Sequence, residues 1–280
     1  KEDRHLYTYG SNIFLGSRGH TPGEDFLVTC RTGTGDKYST HVRASFSFAD
    51  AEEGGYLNNT YPNTEMNFDK AASLSAVPVI GHETGQFQTY PDYREIKKYK
   101  GVLAPWNMET FRKRLYDAGM GRQAKDFFKA SGAWSVELYR ADIEMNLRSD
   151  GMAGFQLLDL QDYPGQGSAY VGILDAFMDS KGLIKPKKWR EFCAEVVPLF
   201  VMKKYCWSGQ ETFCGEMKIA NYGEKQLVGK QLRWTLKNGQ KVIAKGTSVI
   251  PKGLGLLSCG DIRLPLPDID KACKAQLSLE

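Results

Sequence analysis

The sequence predicts an α/β region followed by an antiparallel β-sandwich, and three observations carry that expectation. Up to about residue 200, strand-length apolar runs alternate with longer stretches of helical period, the pattern of βα units around a parallel sheet. After about residue 203 the helical period stops, and alternating strands separated by turn residues take over. The 280 residues are about twice the usual domain size, which fits two domains, 1–202 and 203–280.

The elements follow in order. "HLYTYGSN" (5–12) reads as a strand ending in a turn, and "HVRASFSFAD" (41–50) as a second, with Val42, Ala44, Phe46 and Phe48 on one face. "VPVIGHE" (77–83) and "GFQLLDLQD" (154–162) read as a third and a fourth. Asn107 is placed to cap the helix "METFRKRLYDAG", with Phe111 and Leu115 on one face and Gly119 as the stop. A longer helix follows over 121–151, with Trp134, Leu138 and Ala141 at helical spacing and Gly151 at its end. "KKWREFCAEVVPLF" places Trp189, Phe192, Val196 and Phe200 on one helical stripe. Beyond it, "TFCGEMKIANYG", "QLRWTLKNGQ", "KVIAKGTSVI" and the terminal "KACKAQLSLE" alternate as strands, with "NYGE" and "KNGQ" as turns, the second a tight hairpin. An immunoglobulin-like arrangement is expected, with roughly five strands where about seven are usual. Two long segments, 13–40 and 49–76, carry little regular pattern, and the aromatics of the second set it apart from simple disordered sequence.

Composition excludes several function classes. Net charge is +4 with both signs interspersed, too mild for a nucleic-acid partner, and the basic run "KPKKWR" (185–190) reads as a solvated face. No apolar run approaches the roughly 20 residues that span a bilayer. The six cysteines are scattered, with no CxxC pair and no accompanying histidines, so they read as free thiols and no metal site is expected. Short oxygen-rich runs such as "EEGG" and "DLQD" follow no EF-hand spacing.

Candidate chemistry concentrates at strand ends, where parallel α/β sheets bind their ligands. Glu83 stops the third strand, bracketed by Gly81 and Gly85, which allow close backbone approach. Asp159, Gln161, Asp162 and Gln166 follow the fourth strand, and Ser11 and Asn12 end the first. Hydrogen-bonding side chains with tyrosines and tryptophans nearby suit a neutral, hydroxyl-rich ligand such as a sugar. At such a mouth a carboxylate either attacks an anomeric carbon or moves a proton, and both roles need a second carboxyl group. A structural ion pair is the alternative role for Glu83. His82 is a donor to Glu83, a subsite wall or a core histidine. Asn12, Asp159, Asp162 and Gln166 either hold sugar hydroxyls or cap turns, and Trp106, Trp134, Tyr61 and Tyr90 either stack on sugar rings or pack.

The stretches "VPVIGHETGQFQTYPDYREIKKYKGVL" and "GFQLLDLQDYPGQGSAYVGILDAFMDSKGLI", with "RHLYTYGSN", resemble family 2 glycoside hydrolases, in particular their β-galactosidase-like and β-glucuronidase-like gut-bacterial branch. The resemblance implies the C-terminal half of a (β/α)8 TIM barrel, with strands five to eight at "HLYTYGSN", "RASFSF", the "GHETGQF" stretch and "GFQLLDLQD", and then part of the following sandwich. It implies retaining hydrolysis of β-linked glycosides without a cofactor, with Glu83 as nucleophile and His82, Asn12, Asp159, Asp162, Gln166 and Tyr90 around an oligosaccharide or glycoside substrate. The family's acid/base glutamate has no counterpart here and is expected upstream of Lys1. Half-barrel edges then favour pairing with a second copy or with that N-terminal part. The family also suggests a periplasmic or secreted bacterial location. Two further readings stand beside this one: an inverting pair of Glu83 with Asp159 or Asp162, and a non-catalytic carbohydrate-binding or interaction module.

Overall fold

The computed structural model describes residues 2–9, 20–32, 41–44 and 61–280. Its first layer is a three-stranded parallel sheet, β1 (Leu27–Thr29), β2 (Val79–Gly85) and β3 (Met152–Leu158), in that spatial order. Between β1 and β2 lies the one-turn α1 (Asp69–Ala72), and between β2 and β3 run α2 (Trp106–Asp117) and α3 (Ala124–Leu147). After the short α4 (Pro186–Trp189), the chain is entirely strands: β4 (Val196–Val201), β5 (Thr212–Asn221), β6 (Gln231–Asn238), β7 (Lys241–Val249), β8 (Gly255–Pro265) and β9 (Ala275–Leu279). They form two antiparallel sheets, β4-β5-β8 and β7-β6-β9. Phe213, Met217 and Ile219 from β5, Leu232 and Leu236 from β6, and Cys259 and Ile262 from β8 share one core between them. The β6–β7 hairpin closes over Gly239 at φ +56°, with Asn238 opposite Lys241.

α3 joins the two regions. Its alanine, leucine, glutamate and lysine content favours helix, and its 24 residues give it the length to run past both sheets. Met145 packs with Val79 and Met152 of the parallel sheet. Ile143 and Leu147 pack with Val197 and Leu199 of β4 and with Phe155 and Leu157 of β3. With neighbours on two sides, the C-terminal turns are buried nearly all round, including Asp142 and Asn146, and Ser149 just beyond the helix is buried as well. Thr64 meets the C-terminal end of β4. There the Thr64 hydroxyl donates to the Phe200 carbonyl at 2.6 Å and accepts the Met202 N–H at 2.8 Å.

The half-barrel expectation is overturned. Among the described residues three strands run parallel, and the other six belong to small antiparallel sheets, so most of the strand structure is antiparallel. Barrel closure needs every strand paired on both sides, whereas among the described residues β1 and β3 are edges and β1 is three residues long. The expected strand five has no ladder over residues 5–9. The Tyr7 and Tyr9 N–H groups go instead to the carboxylates of Asp25 (2.8 Å) and Glu24 (2.7 Å). Of the expected strand six, residues 41–44 make one antiparallel bridge, His41 to Arg31, and 45–50 lie outside the described residues. β1 instead falls inside the segment that carried no regular pattern.

The immunoglobulin-like arrangement is corrected as well: the sandwich has three strands in each sheet, one of them β4 from before residue 203. That strand was expected to be helix. Pro198 cannot sit in a helix interior, and the β-branched Val196 and Val197 favour extended backbone. A proline is tolerated in β4 because β4 is an edge strand among the described residues. Asn107 does not cap α2, which starts one residue earlier after Pro105; its amide donates to the Gly167 carbonyl (2.6 Å) and the Tyr170 hydroxyl (2.7 Å). Trp134 is 59% exposed, because the buried stripe of α3 runs through Phe128, Gly132, Ser135 and Tyr139.

Because Ile143 is fully buried between the two regions, Ile143→Ala should destabilise the chain by about 2–5 kcal/mol. In urea melts of protein labelled with 5-fluorotryptophan, the far-ultraviolet signal and the assigned fluorine resonance of Trp234, packed against the sandwich core, should shift together. A sandwich signal that stays in place would show that α3 does not couple the regions.

Candidate functional site

β2 is interrupted at the residues that matter most. Its pairing with β3 shifts register between Gly81 and Thr84, so His82 and Glu83 form a bulge, and Glu83 takes φ +55°. A non-glycine residue in the left-handed region is uncommon, and bulges re-aim side chains beside active sites. The flanking glycines make room for this. A Cβ on Gly81 would lie 2.9 Å from the Val42 carbonyl oxygen, 3.1 Å from Thr84 Oγ1 and 3.2 Å from Asn146 Oδ1. Gly85, at φ +104°, lies against the Tyr139 ring, with no space for a methyl group.

Three segments then converge. Asp142 of α3, fully buried, accepts the Ala44 N–H at 3.0 Å on one carboxylate oxygen and the Gly85 N–H at 3.1 Å on the other. The residue before Ala44 is Arg43, whose side chain is 3% exposed. Its Nη1 donates to Glu83 Oε2 at 3.0 Å and to the Glu83 carbonyl at 3.2 Å. Gln86 Nε2 donates to the same Oε2 at 3.3 Å. His82 Nε2 stands 3.8 Å from Glu83 Oε1, and its Nδ1 hydrogen-bonds Gln156 Oε1 of β3 at 3.0 Å. The Glu83 side chain stays 33% exposed. The result is a carboxylate fixed on one oxygen by a buried guanidinium and an amide, with its other oxygen facing His82 and solvent. Such a group can act as a nucleophile, a base or an anchor for a ligand donor.

Of the residues singled out by sequence, His82 is the one brought to Glu83. Asn12 lies outside the described residues. Asp159 follows β3 half-buried and accepts the Leu160 N–H at 2.6 Å. Gln166 is exposed in a turn, its N–H donating to the Tyr163 carbonyl at 3.2 Å. Tyr90 hydrogen-bonds the Tyr93 hydroxyl at 2.9 Å and packs 5.5 Å from the Phe127 ring. Asp162 is 3% exposed, and its Oδ1 accepts the Lys181 ammonium at 2.6 Å and the Gly172 N–H at 2.9 Å. Sequence reasoning missed Arg43, Gln86, Asp142 and Gln156. Arg43 had a signal: it is the cation on the opposite face from Val42 and Ala44 in an alternating run.

Asp162 belongs to a second group of charges, sealed at its Lys181 pair. Burial pushes its carboxyl up and the Lys181 ammonium down, and their mutual attraction opposes both shifts. Lys98 pairs with Asp175 and with Asp179 at 2.7 Å. Glu95, 5% exposed, accepts the Tyr99 hydroxyl at 3.2 Å. Burial first, and then the negative charges of Asp162 and Asp175, raise Glu95 from an ordinary 4.5 to about 7. Among the described residues no group of three or more His, Cys, Asp or Glu is arranged to hold a metal ion, and no helix is long and apolar enough to cross a membrane.

A family model described as Domain of unknown function (DUF8488) matches residues 211–280, from the residue before β5 onward. A search of curated proteins finds no match.

Because Glu95 binds its proton more tightly folded than unfolded, stability should fall as pH rises from about 4.5 through 7. Glu95→Gln removes that ionisation and should raise stability at pH 8 by about 3 kcal/mol, with little change at pH 4. Urea midpoints at the two pH values test this, and equal shifts at both would contradict it.

Proposed function

We propose that Glu83 is the reactive carboxylate of a retaining glycosidase acting on β-linked sugars. The observation that supports this reading best is the hold on Glu83: a buried Arg43 and Gln86 fix one carboxylate oxygen while the side chain stays a third exposed at the C-terminal end of β2. A nucleophile needs a fixed orientation and open access together. The strand bulge at His82–Glu83 and the likeness of "GHETGQF" and "DLQDYPGQG" to family 2 glycoside hydrolases point the same way. In this reading Glu83 attacks the anomeric carbon and forms a glycosyl ester. A second carboxylic acid protonates the departing oxygen, and its conjugate base then activates water. His82, held by Gln156, lies beside the attacking oxygen as a donor to a sugar hydroxyl. An inverting partnership with Asp162 is disfavoured, because that carboxylate is buried and engaged by Lys181 and Gly172.

A leaving group that needs no protonation isolates the step assigned to Glu83. Incubation with dinitrophenyl 2-deoxy-2-fluoro-β-galactoside or the β-glucuronide should release dinitrophenolate and leave one fluorosugar ester on the peptide containing Glu83, read by mass spectrometry. Glu83→Gln should abolish the label. Arg43→Met should slow labelling by roughly tenfold or more through loss of the charged anchor. Label on another residue, or equal labelling of the Glu83→Gln protein, rules the assignment out. Sugar binding without any label would favour a binding module instead.

A further inference from the structure

Beside the first turns of α3 lies a half-open pocket of about 350 Å³ whose lining includes Arg94, Lys125, Phe128, Lys129, Lys181 and Leu183. Four of the eight lining residues are cations, and none is a carboxylate. Two of the four are fixed by acids that do not themselves line it. Asp92 holds Arg94 through two nitrogens, with Nε at 2.9 Å and Nη2 at 2.6 Å. Asp162 and Thr89 hold the buried Lys181 at 2.6 and 3.2 Å. The other two, Lys125 and Lys129, stand one helical turn apart on α3 and are exposed. Like charges at that spacing repel each other. The remaining surface is apolar. Phe128 is buried in the wall, and Leu183 sits directly over Gly132, where a methyl on the helix would displace it.

From this the geometry points to a binding site for a small organic oxyanion: a carboxylate, sulfate or phosphate carried on a compact ring. The anion offsets the repulsion between Lys125 and Lys129 and accepts from both and from the outer edge of Arg94. The ring body lies on Phe128 and Leu183, and the volume exceeds what an inorganic ion alone would fill. The cavity shares no lining residue with the Glu83 group, so the inference stands independently of the glycosidase reading.

The test is titration calorimetry of the full chain at low ionic strength with galacturonate, glucose 6-phosphate and glucose 6-sulfate, and with glucose as the neutral control. At least one charged sugar should bind roughly tenfold more tightly than glucose, and the double variant Lys125→Gln/Lys129→Gln should lose roughly tenfold in that affinity with unchanged melting. The ranking of the three identifies the anion. Equal binding of glucose and all three charged sugars overturns the inference, as does a double variant that binds like the parent. If the double variant melts differently, the parent decides the matter. The charged sugar, and not glucose, should protect Lys125 and Lys129 from acetylation by acetic anhydride, and absence of protection overturns the site.

Discussion

The Glu83 site depends on one buried carboxylate. Asp142 has no exposure to water, and an ionised group there is costly unless each oxygen finds a donor. The donors are the main-chain N–H groups of Ala44 and Gly85, from two segments far apart in sequence. One residue before Ala44 is Arg43, and two before Gly85 is Glu83. A single side chain on the central helix therefore sets the distance between the guanidinium and the carboxylate. The bulge at His82–Glu83 and the missing side chains of Gly81 and Gly85 permit the strand to approach that closely.

Among the described residues two cation–carboxylate contacts seal the cation, and the exposure of the carboxylate separates them. Lys181 and Asp162 are sealed, with side-chain exposures of 4% and 5%, and the pair fixes the loop after β3 through Gly172. In the other, Arg43 is sealed at 3% while Glu83 is exposed at 33%. The first arrangement gains only structure from its charges. The second leaves a carboxylate oxygen free to meet a ligand while its orientation is already fixed, which lowers the cost of ordering it during a reaction.

Much of this was legible in the sequence. β2, β3, α2 and α3 fall where the sequence placed elements, the strands on short apolar runs and the helices on a helical period. Gly81 and Gly85 announced a close backbone approach, and Val42 and Ala44 announced a buried face. What failed did so for physical reasons. β1 is too short to show a period. The stretch 187–200 satisfies a helical spacing at its aromatics, but Pro198 and the valine pair decide for a strand. Partners such as Asp142 and Gln156 are visible only when distant segments come together, since nothing local marks a helical aspartate as the acceptor for two remote amides. Tyr90 and Asp162 sit where loops suggested a ligand, yet each has an internal partner that spacing alone does not reveal.

β4 pairs along its whole length with β5, from Val196 opposite Asn221 to Val201 opposite Glu216. The segment matched by the family model begins at residue 211 and therefore excludes this strand. Excised at that boundary, the sandwich would lose an edge strand and bare the stretch of β5 backbone from Glu216 to Asn221 that β4 covers. Sticky borders of that kind invite intermolecular stacking, so the autonomous unit of inheritance and the autonomous unit of solubility need not share a border here.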